Sequence, residues 1–271
     1  MHSEPDIYDG PAYVVGQKRI APNGWKMTVA APVPARVAAG RFVHLLVDED
    51  RKEFRLRRPF SFWDVRHPEG AWTNFDLVYQ VVGPGTERMT RKEPLDTVGF
   101  LGPLGRGFTP PADGERLIFV AGGVGIVPFH HFARQLREEG RRHEILLLFG
   151  ARNRDLLYGI DEFADVDVKA LAATEDGSRG DRGLVTDLLL RHLDGGPVRI
   201  YTCGPDRMIE RVARIARERK LPCEVSMEQR MGCGLGACGA CVTKVADGDD
   251  WRYSRVCREG PAYDASALVL E

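Results

Sequence analysis

The sequence predicts a mixed β and α/β protein: an antiparallel β-barrel over residues 1–110, a doubly wound parallel sheet over 111–227, and a small cysteine-bearing subdomain over 228–271. Three observations predict it. Short apolar or β-branched runs, broken by Gly, Pro and charged turns, recur up to about Leu101 without long helical periods. Strands repeating in this way suit a small closed antiparallel barrel. From Leu117 onward strand and helix patterns alternate, which implies a parallel sheet with helices on both faces. Four of the six cysteines then fall in the last segment at a fixed spacing.

Composition narrows the class. The chain has 271 residues, 43% of them hydrophobic, and a net charge of −1, which fits about two ordinary domains. The basic runs Arg51 to Arg58 and Arg211 to Arg219 are interrupted by acidic or apolar residues. They read as solvated faces, not as a nucleic-acid surface. The longest apolar stretch, Leu117 to Phe129, contains three glycines and a proline and is too short to cross a bilayer. No signal-peptide pattern opens Met1 to Asp6, so a reducing cytoplasm and unpaired cysteines are expected.

In chain order, Tyr13–Val15, Trp25–Val29, Phe42–Val47 and Phe75–Val82 read as strands of the barrel. Two marks lie among them. In Arg58-Pro59-Phe60-Ser61 a guanidinium can bridge a diphosphate, the proline stiffens the strand, and the serine hydroxyl can hydrogen-bond a ring. In Gly83-Pro84-Gly85-Thr86 the glycines free backbone N–H groups at the start of a short helix, an anion site. Each alone is a weak sign, and a lone Gly-x-Gly-Thr reads more readily as a structural turn. The Gly/Pro cluster Gly102 to Gly114 marks the boundary between the barrel and the sheet domain.

Leu117–Val120 then reads as a buried strand, Ala121 to Gly125 as a tight loop, and Pro128 as an early position of a helix reaching about Glu139. Strand, glycine loop and helix N-terminus form a phosphate cradle of the dinucleotide type, although Gly122-Gly123-Val124-Gly125 departs from the usual fingerprint and a plain βα turn is the alternative. Strands follow at Glu144–Phe149, Val166–Ala172 and Val198–Thr202. Helices are expected at Leu156–Phe163, Leu184–His192 and Asp206–Arg219, the last with Met208, Ile209, Val212, Ile215 and Ala216 on one face. Ligands of such sheets bind at the carboxyl ends of the strands, where Gly122–Gly125 and Cys203-Gly204-Pro205 both fall. There Cys203 suits a place beside a nicotinamide, and otherwise it is a small buried thiol like Cys223.

The tail carries Cys233, Cys238, Cys241 and Cys257 as C-x4-C-x2-C followed by a fourth cysteine after fifteen residues. Four thiolates at the plant-type spacing are the ligand set of a [2Fe-2S] cluster, one pair per iron. Gly232, Gly234, Gly236 and Gly239 suit a loop wrapped closely round it. Zinc commonly takes two C-x2-C pairs, and this chain has one.

With these motifs in this order, the whole chain resembles the electron-transfer subunits of the two-subunit, NAD-dependent dihydroorotate dehydrogenases, within the ferredoxin reductase superfamily. The resemblance implies an FAD-binding barrel, an NAD-binding domain and a cluster subdomain. It implies that Arg58, Pro59, Phe60, Ser61, Val78, Tyr79, Gln80, Gly85 and Thr86 hold FAD, that Gly122, Gly123, Val124, Gly125, Cys203, Gly204 and Pro205 hold NAD, and that the four tail cysteines bind iron. Phe60 stands where relatives often have tyrosine, and Val124 where many have threonine. The implied partner is an FMN-containing catalytic subunit that oxidises dihydroorotate to orotate, in a heterotetramer of two plus two, without nucleic acid or membrane. The flavin subunit of another NAD(P)H-dependent reductase, of the ferredoxin:NADP or sulfide reductase type, is the competing reading, and a non-enzymatic redox sensor is a third. For the choice between NAD and NADP, Arg152 and Arg154 would attract a 2′-phosphate and Asp155 would repel it.

Overall fold

The computed structural model describes residues 7–33, 37–48, 56–67 and 72–270. Met1 to Asp6 and residues 51–55 of the first basic run lie outside the described residues.

The first sheet is formed by β1 (Tyr8–Ala21), β2 (Gly24–Ala31), β3 (Phe42–Leu46), β4 (Arg58–Ser61), β5 (Asp64–Arg66), β6 (Thr73–Gln80) and β7 (Thr97–Leu104). All its pairings are antiparallel, in the order β4-β3-β7-β1-β2-β6-β5. The expected barrel is present as a strongly curled sheet whose two edge strands are neighbours in sequence. Only Phe62 and Trp63 separate β4 from β5. Alternation along the strands sends one set of side chains inward. Val14, Met27, Val29, Val43, Leu45, Phe75, Leu77 and Phe100 fill the interior. A short helix, α1 (Pro84–Met89), closes one end between β6 and β7.

The second sheet has the order β11-β10-β9-β8-β12-β13-β16. Its strands are β8 (Arg116–Gly122), β9 (Ile145–Ala151), β10 (Lys169–Thr174), β11 (Asp181–Arg182), β12 (Val198–Cys203), β13 (Cys223–Ser226) and β16 (Ala262–Asp264), and all are parallel except β16. Helices α2 (Val127–Glu138), α3 (Val185–Leu190) and α4 (Asp206–Arg219) cover its faces. On α4, Ile209, Val212, Ala213, Ile215 and Ala216 are buried, while Arg214, Arg217 and Arg219 face water, so the second basic run is a solvated face as expected. The strand order reverses between β8 and β12, the place where a doubly wound sheet opens a ligand crevice.

Two expectations need correction. Leu156–Phe163 is not an α-helix but parts of two 3-10 segments, Arg154–Leu156 and Ile160–Val166, with Gly159 at φ 61° between them. A Cβ on Gly159 would stand 2.7 Å from the Trp63 ring, so the docked indole and the left-handed residue together interrupt helical continuation. The strand placed at Val166–Ala172 starts only at Lys169, because Asp167 is also left-handed, at φ 56°.

The barrel and the parallel sheet are locked together by Trp63. Its side chain is fully buried, stacks on His130 of α2 at 4.4 Å, and meets Phe163 edge-on. Lys26 pairs with Glu162 at 2.7 Å and Asp64 with Arg134 at 2.8 Å across the same seam. The tail is bound to both halves: a hairpin of β14 (Val242–Asp247) and β15 (Asp250–Arg255) carries it out, and β16 returns to pair with β13. Cys241, Val256, Cys257 and Leu268 share one apolar cluster with Phe42 and Leu104 of the barrel and with Ile209 and Val212 of α4.

Candidate functional site

A cavity of about 800 Å³ opens where the barrel, the switch point and the start of the tail meet. That volume suits a cofactor. Twelve of the residues expected to hold FAD or NAD line it: Arg58, Pro59, Phe60, Ser61, Val78, Tyr79, Gln80, Gly85, Thr86, Val124, Gly125 and Cys203. Gly122, Gly123, Gly204 and Pro205 are not in its lining but adjoin Val124, Gly125 and Cys203 in the same two loops.

On the barrel side, β4 presents Arg58 to Ser61 and β6 ends at Gln80, next to α1. A Cβ on Gly85 would lie 2.2 Å from the Arg58 guanidinium. The two barrel motifs are therefore one site, with the arginine laid across a glycine that no larger residue replaces without moving it. Thr86 refines the expected anion site. Its hydroxyl accepts from the N–H groups of Val82 at 3.0 Å and Gly83 at 3.3 Å, so these two donors are already taken. Tyr79 points its ring into the barrel core and donates its hydroxyl to Gln17 at 3.0 Å. Gln17 in turn donates to the carbonyls of Met89 and Lys92, which fixes the end of α1.

On the sheet side, the loops after β8 and β12 interlock through glycine. A Cβ on Gly125 would stand 2.2 Å from the Cys203 carbonyl oxygen, one on Gly122 2.7 Å from Pro205, and one on Gly204 2.9 Å from the Gly122 nitrogen. No side chain fits between these loops, so their backbones come close enough to cradle a ligand. The Cys203 thiol faces the cavity, and burial, with the Glu228 charge next, pushes it up to about 12. It stays protonated and is not a nucleophile. Arg152 and Arg154 are exposed beyond β9, where the Arg154 N–H donates to Ser178 at 2.8 Å.

Ser226, Met227, Glu228, Gln229, Arg230 and Met231 complete the wall. The sequence had shown them only as the approach to the cysteines. Burial, and then Asp206, raises the Glu228 carboxyl above the usual range. A carboxylate directly before a cysteine run gives no periodic signal, and the fold alone shows that it turns into the cavity.

Two residues past Met231 the wall becomes the cysteine loop. All four thiols are free. Among the described residues no three His, Cys, Asp or Glu side chains converge on one point. The thiols instead form two pairs, Cys233 beside Cys238 and Cys241 beside Cys257. Two pairs suit two irons better than one tetrahedral ion. The Leu235 N–H donates to Cys233 Sγ and the Cys257 N–H to Cys241 Sγ, each at 3.4 Å. Burial would raise the Cys233 thiol, but the Leu235 and Cys238 donors outweigh it and bring it down to about 6. Burial and the neighbouring Cys241 push Cys257 up to about 12, so its proton leaves when metal binds. Gly234, Gly236 and Gly239 have φ of 73°, 83° and 66°, the left-handed turns the loop needs.

Comparison with known proteins agrees with this geometry. Residues 228–269 match the family model of the iron-sulfur cluster binding domain of dihydroorotate dehydrogenase B, and residues 119–214 match that of the oxidoreductase NAD-binding domain. The dihydroorotate dehydrogenase B (NAD(+)) electron transfer subunit of Desulforamulus reducens is 36% identical over 262 residues, 96% of this chain and 98% of its own. The chain belongs to that family. The corresponding subunit of Geobacillus kaustophilus is also 36% identical, over 95% of this chain and 97% of its own. Among solved structures, the NADH-dependent reduced ferredoxin-NADP oxidoreductase described in work on flavin-based electron bifurcation superposes with a TM-score of 0.79 at 29% identity, covering 96% of this chain and 90% of that one. A ferredoxin NADP+ reductase from Neisseria gonorrhoeae shares the fold, with a TM-score of 0.64 at 19% identity over 79% of this chain and 92% of its own. No described helix is long and apolar enough to cross a membrane.

Proposed function

We propose that this chain carries electrons between NAD and a catalytic partner that oxidises dihydroorotate to orotate, by way of FAD and a [2Fe-2S] cluster. The observation that carries the reading is one cavity shared by the flavin motifs, the nicotinamide loops and the peptide that leads into the cysteine loop. A flavin held there would supply both hydride exchange with a nicotinamide and one-electron exchange with a cluster.

The residues divide the work by place. Arg58, laid across Gly85, meets the diphosphate, and Ser61 and the strand ends at Val78 and Gln80 border the ring. Thr86 and Tyr79 act at one remove, holding the α1 turn. At the nicotinamide end, Val124, Gly125 and Cys203 set the depth of the ring, backed by Gly122, Gly123, Gly204 and Pro205. The Glu228 carboxyl, raised by burial above the usual range, lies beside them. Cys233 and Cys238 would hold one iron, and Cys241 and Cys257 the other. Residues 1–110, 111–227 and 228–271 are the three functional units, with β16 of the third sewn into the sheet of the second.

The partner carries FMN and assembles with this chain as two plus two in the cytoplasm. Among the described residues the strands form an antiparallel curled sheet, a seven-stranded mostly parallel sheet and a hairpin, and none of these is a (β/α)8 barrel. Cys238 and Leu235 on the cysteine loop and Trp251 and Tyr253 on β15 are exposed, and this face receives the catalytic subunit. The test is anaerobic assay of the purified chain with and without that subunit. Alone, it should oxidise NADH with artificial acceptors and form no orotate. Substantial orotate formation by the chain alone would refute the division of labour.

A further inference from the structure

His44 lies between the flavin cavity and the cysteine loop. On β3, Val43 and Leu45 point into the barrel, so Phe42 and His44 point out. Phe42 lines the cavity. His44 follows two positions along, about 7 Å away on the same face.

The imidazole is fully buried, with 0% exposure, and neither ring nitrogen has a hydrogen-bond partner. Its surroundings are the cysteine loop: a Cβ on Gly234 would stand 2.7 Å from His44 Nδ1 and 3.1 Å from Leu104. The Cys233 and Arg57 backbones also lie beside the ring, neither meeting hydrogen-bond geometry. Neutral or charged, a histidine ring carries at least one N–H donor. Leaving such a donor buried and unpaired is costly, and buried polar groups are almost always satisfied. The neighbouring strands do not satisfy it: opposite His44 stand Pro59 on β4 and Leu101 on β7. The loop packed against the ring is the one that carries the Cys233 thiol.

We propose that His44 is a positioning residue which donates a ring N–H to the sulfur shell of the bound cluster on the Cys233 side, tying the cysteine loop to the flavin barrel and raising the cluster's reduction potential. Hydrogen bonds to sulfur stabilise the added negative charge of the reduced cluster, one of the levers that set such potentials. The inference rests on the cluster reading above.

Potentiometric titration of the cluster by electron paramagnetic resonance tests it, on the full chain purified anaerobically with iron and sulfide counted. His44→Phe removes the donor and should shift the reduction equilibrium about tenfold toward the oxidised cluster, which is about 59 mV for one electron. His44→Asn keeps an N–H near the Nδ1 position and should stay within about threefold of the parent. Parent protein labelled with ¹⁵N in histidine alone should show a nitrogen coupling to the reduced cluster, and this decides the matter if His44→Phe fails to load. An unchanged potential in fully loaded His44→Phe, or no nitrogen coupling in the parent, overturns the proposal. A parent chain free of iron and sulfide would sink the cluster reading itself, and this inference with it.

Discussion

Replacing Gly125 by alanine tests the nicotinamide cradle at its tightest point. The added Cβ would lie 2.2 Å from the Cys203 oxygen, 2.5 Å from the Cys203 carbonyl carbon and 2.7 Å from the Gly204 nitrogen. Non-bonded carbon contacts settle near 3.5–4.0 Å, so the loops after β8 and β12 must part by roughly 1 Å. The obstacle is backbone, which cannot swing aside as a side chain does. Overpacking of this kind costs about 1–3 kcal/mol of stability. A displacement of about 1 Å between reacting groups costs on the order of 10²-fold in rate. Gly125→Ala should therefore retain FAD and the cluster, melt a few degrees lower, and reduce its flavin with NADH about a hundredfold more slowly. Anaerobic stopped-flow following oxidised-flavin absorbance measures that rate. Flavin reduction at the parental rate, with an unshifted melting temperature, would show that the two loops do not jointly set the nicotinamide position.

Other outcomes follow from the same contacts. Gly85→Ala displaces the far end of a flexible Arg58 side chain, so titration of apoprotein should show FAD affinity about tenfold weaker, near 1.4 kcal/mol, with little change in folding. Cys203→Ala should change flavin reduction by less than about tenfold, since the buried thiol stays protonated and hydride transfer needs no nucleophile; a loss of several hundredfold would assign it a chemical role. Burial raises the Glu224 carboxyl from 4.5 to about 7, against the N–H and hydroxyl of Thr109 that lower it. The folded state then holds a proton the unfolded state has released, so Glu224 removes stability as pH climbs from 4.5 to 7, by about 3 kcal/mol when complete. Glu224→Gln should gain its melting advantage across that window, and a difference constant with pH would contradict the assignment.

Legibility in the sequence varied with how local the cause was. Strand–helix alternation from Leu117 to Arg219 was readable because hydrophobic periodicity reports a buried face directly, and the cysteine spacing reported the cluster through ligand chemistry alone. Leu156–Phe163 misled, because a helical pattern there yields to Trp63, which arrives from nearly a hundred positions upstream. The strand Ala262–Asp264 could not be read either, since it pairs as a late edge on β13 and is too short to show alternation. In the site, Arg58 and Gly85 were marked separately, but their mutual contact was invisible. Glu228 and His44 carry no sequence signal for a related reason: a single titratable residue acquires meaning only from neighbours brought by the fold.

Anaerobic titration of the purified chain with NADH, followed by flavin absorbance and by electron paramagnetic resonance in the same samples, tests the central claim most directly. The account predicts that flavin bleaching is accompanied by the signal of a reduced [2Fe-2S] cluster, with two irons and two sulfides per chain, and that Cys257→Ser abolishes the signal but not the bleaching. Flavin that bleaches fully while an intact, loaded cluster stays oxidised at every NADH level would contradict it.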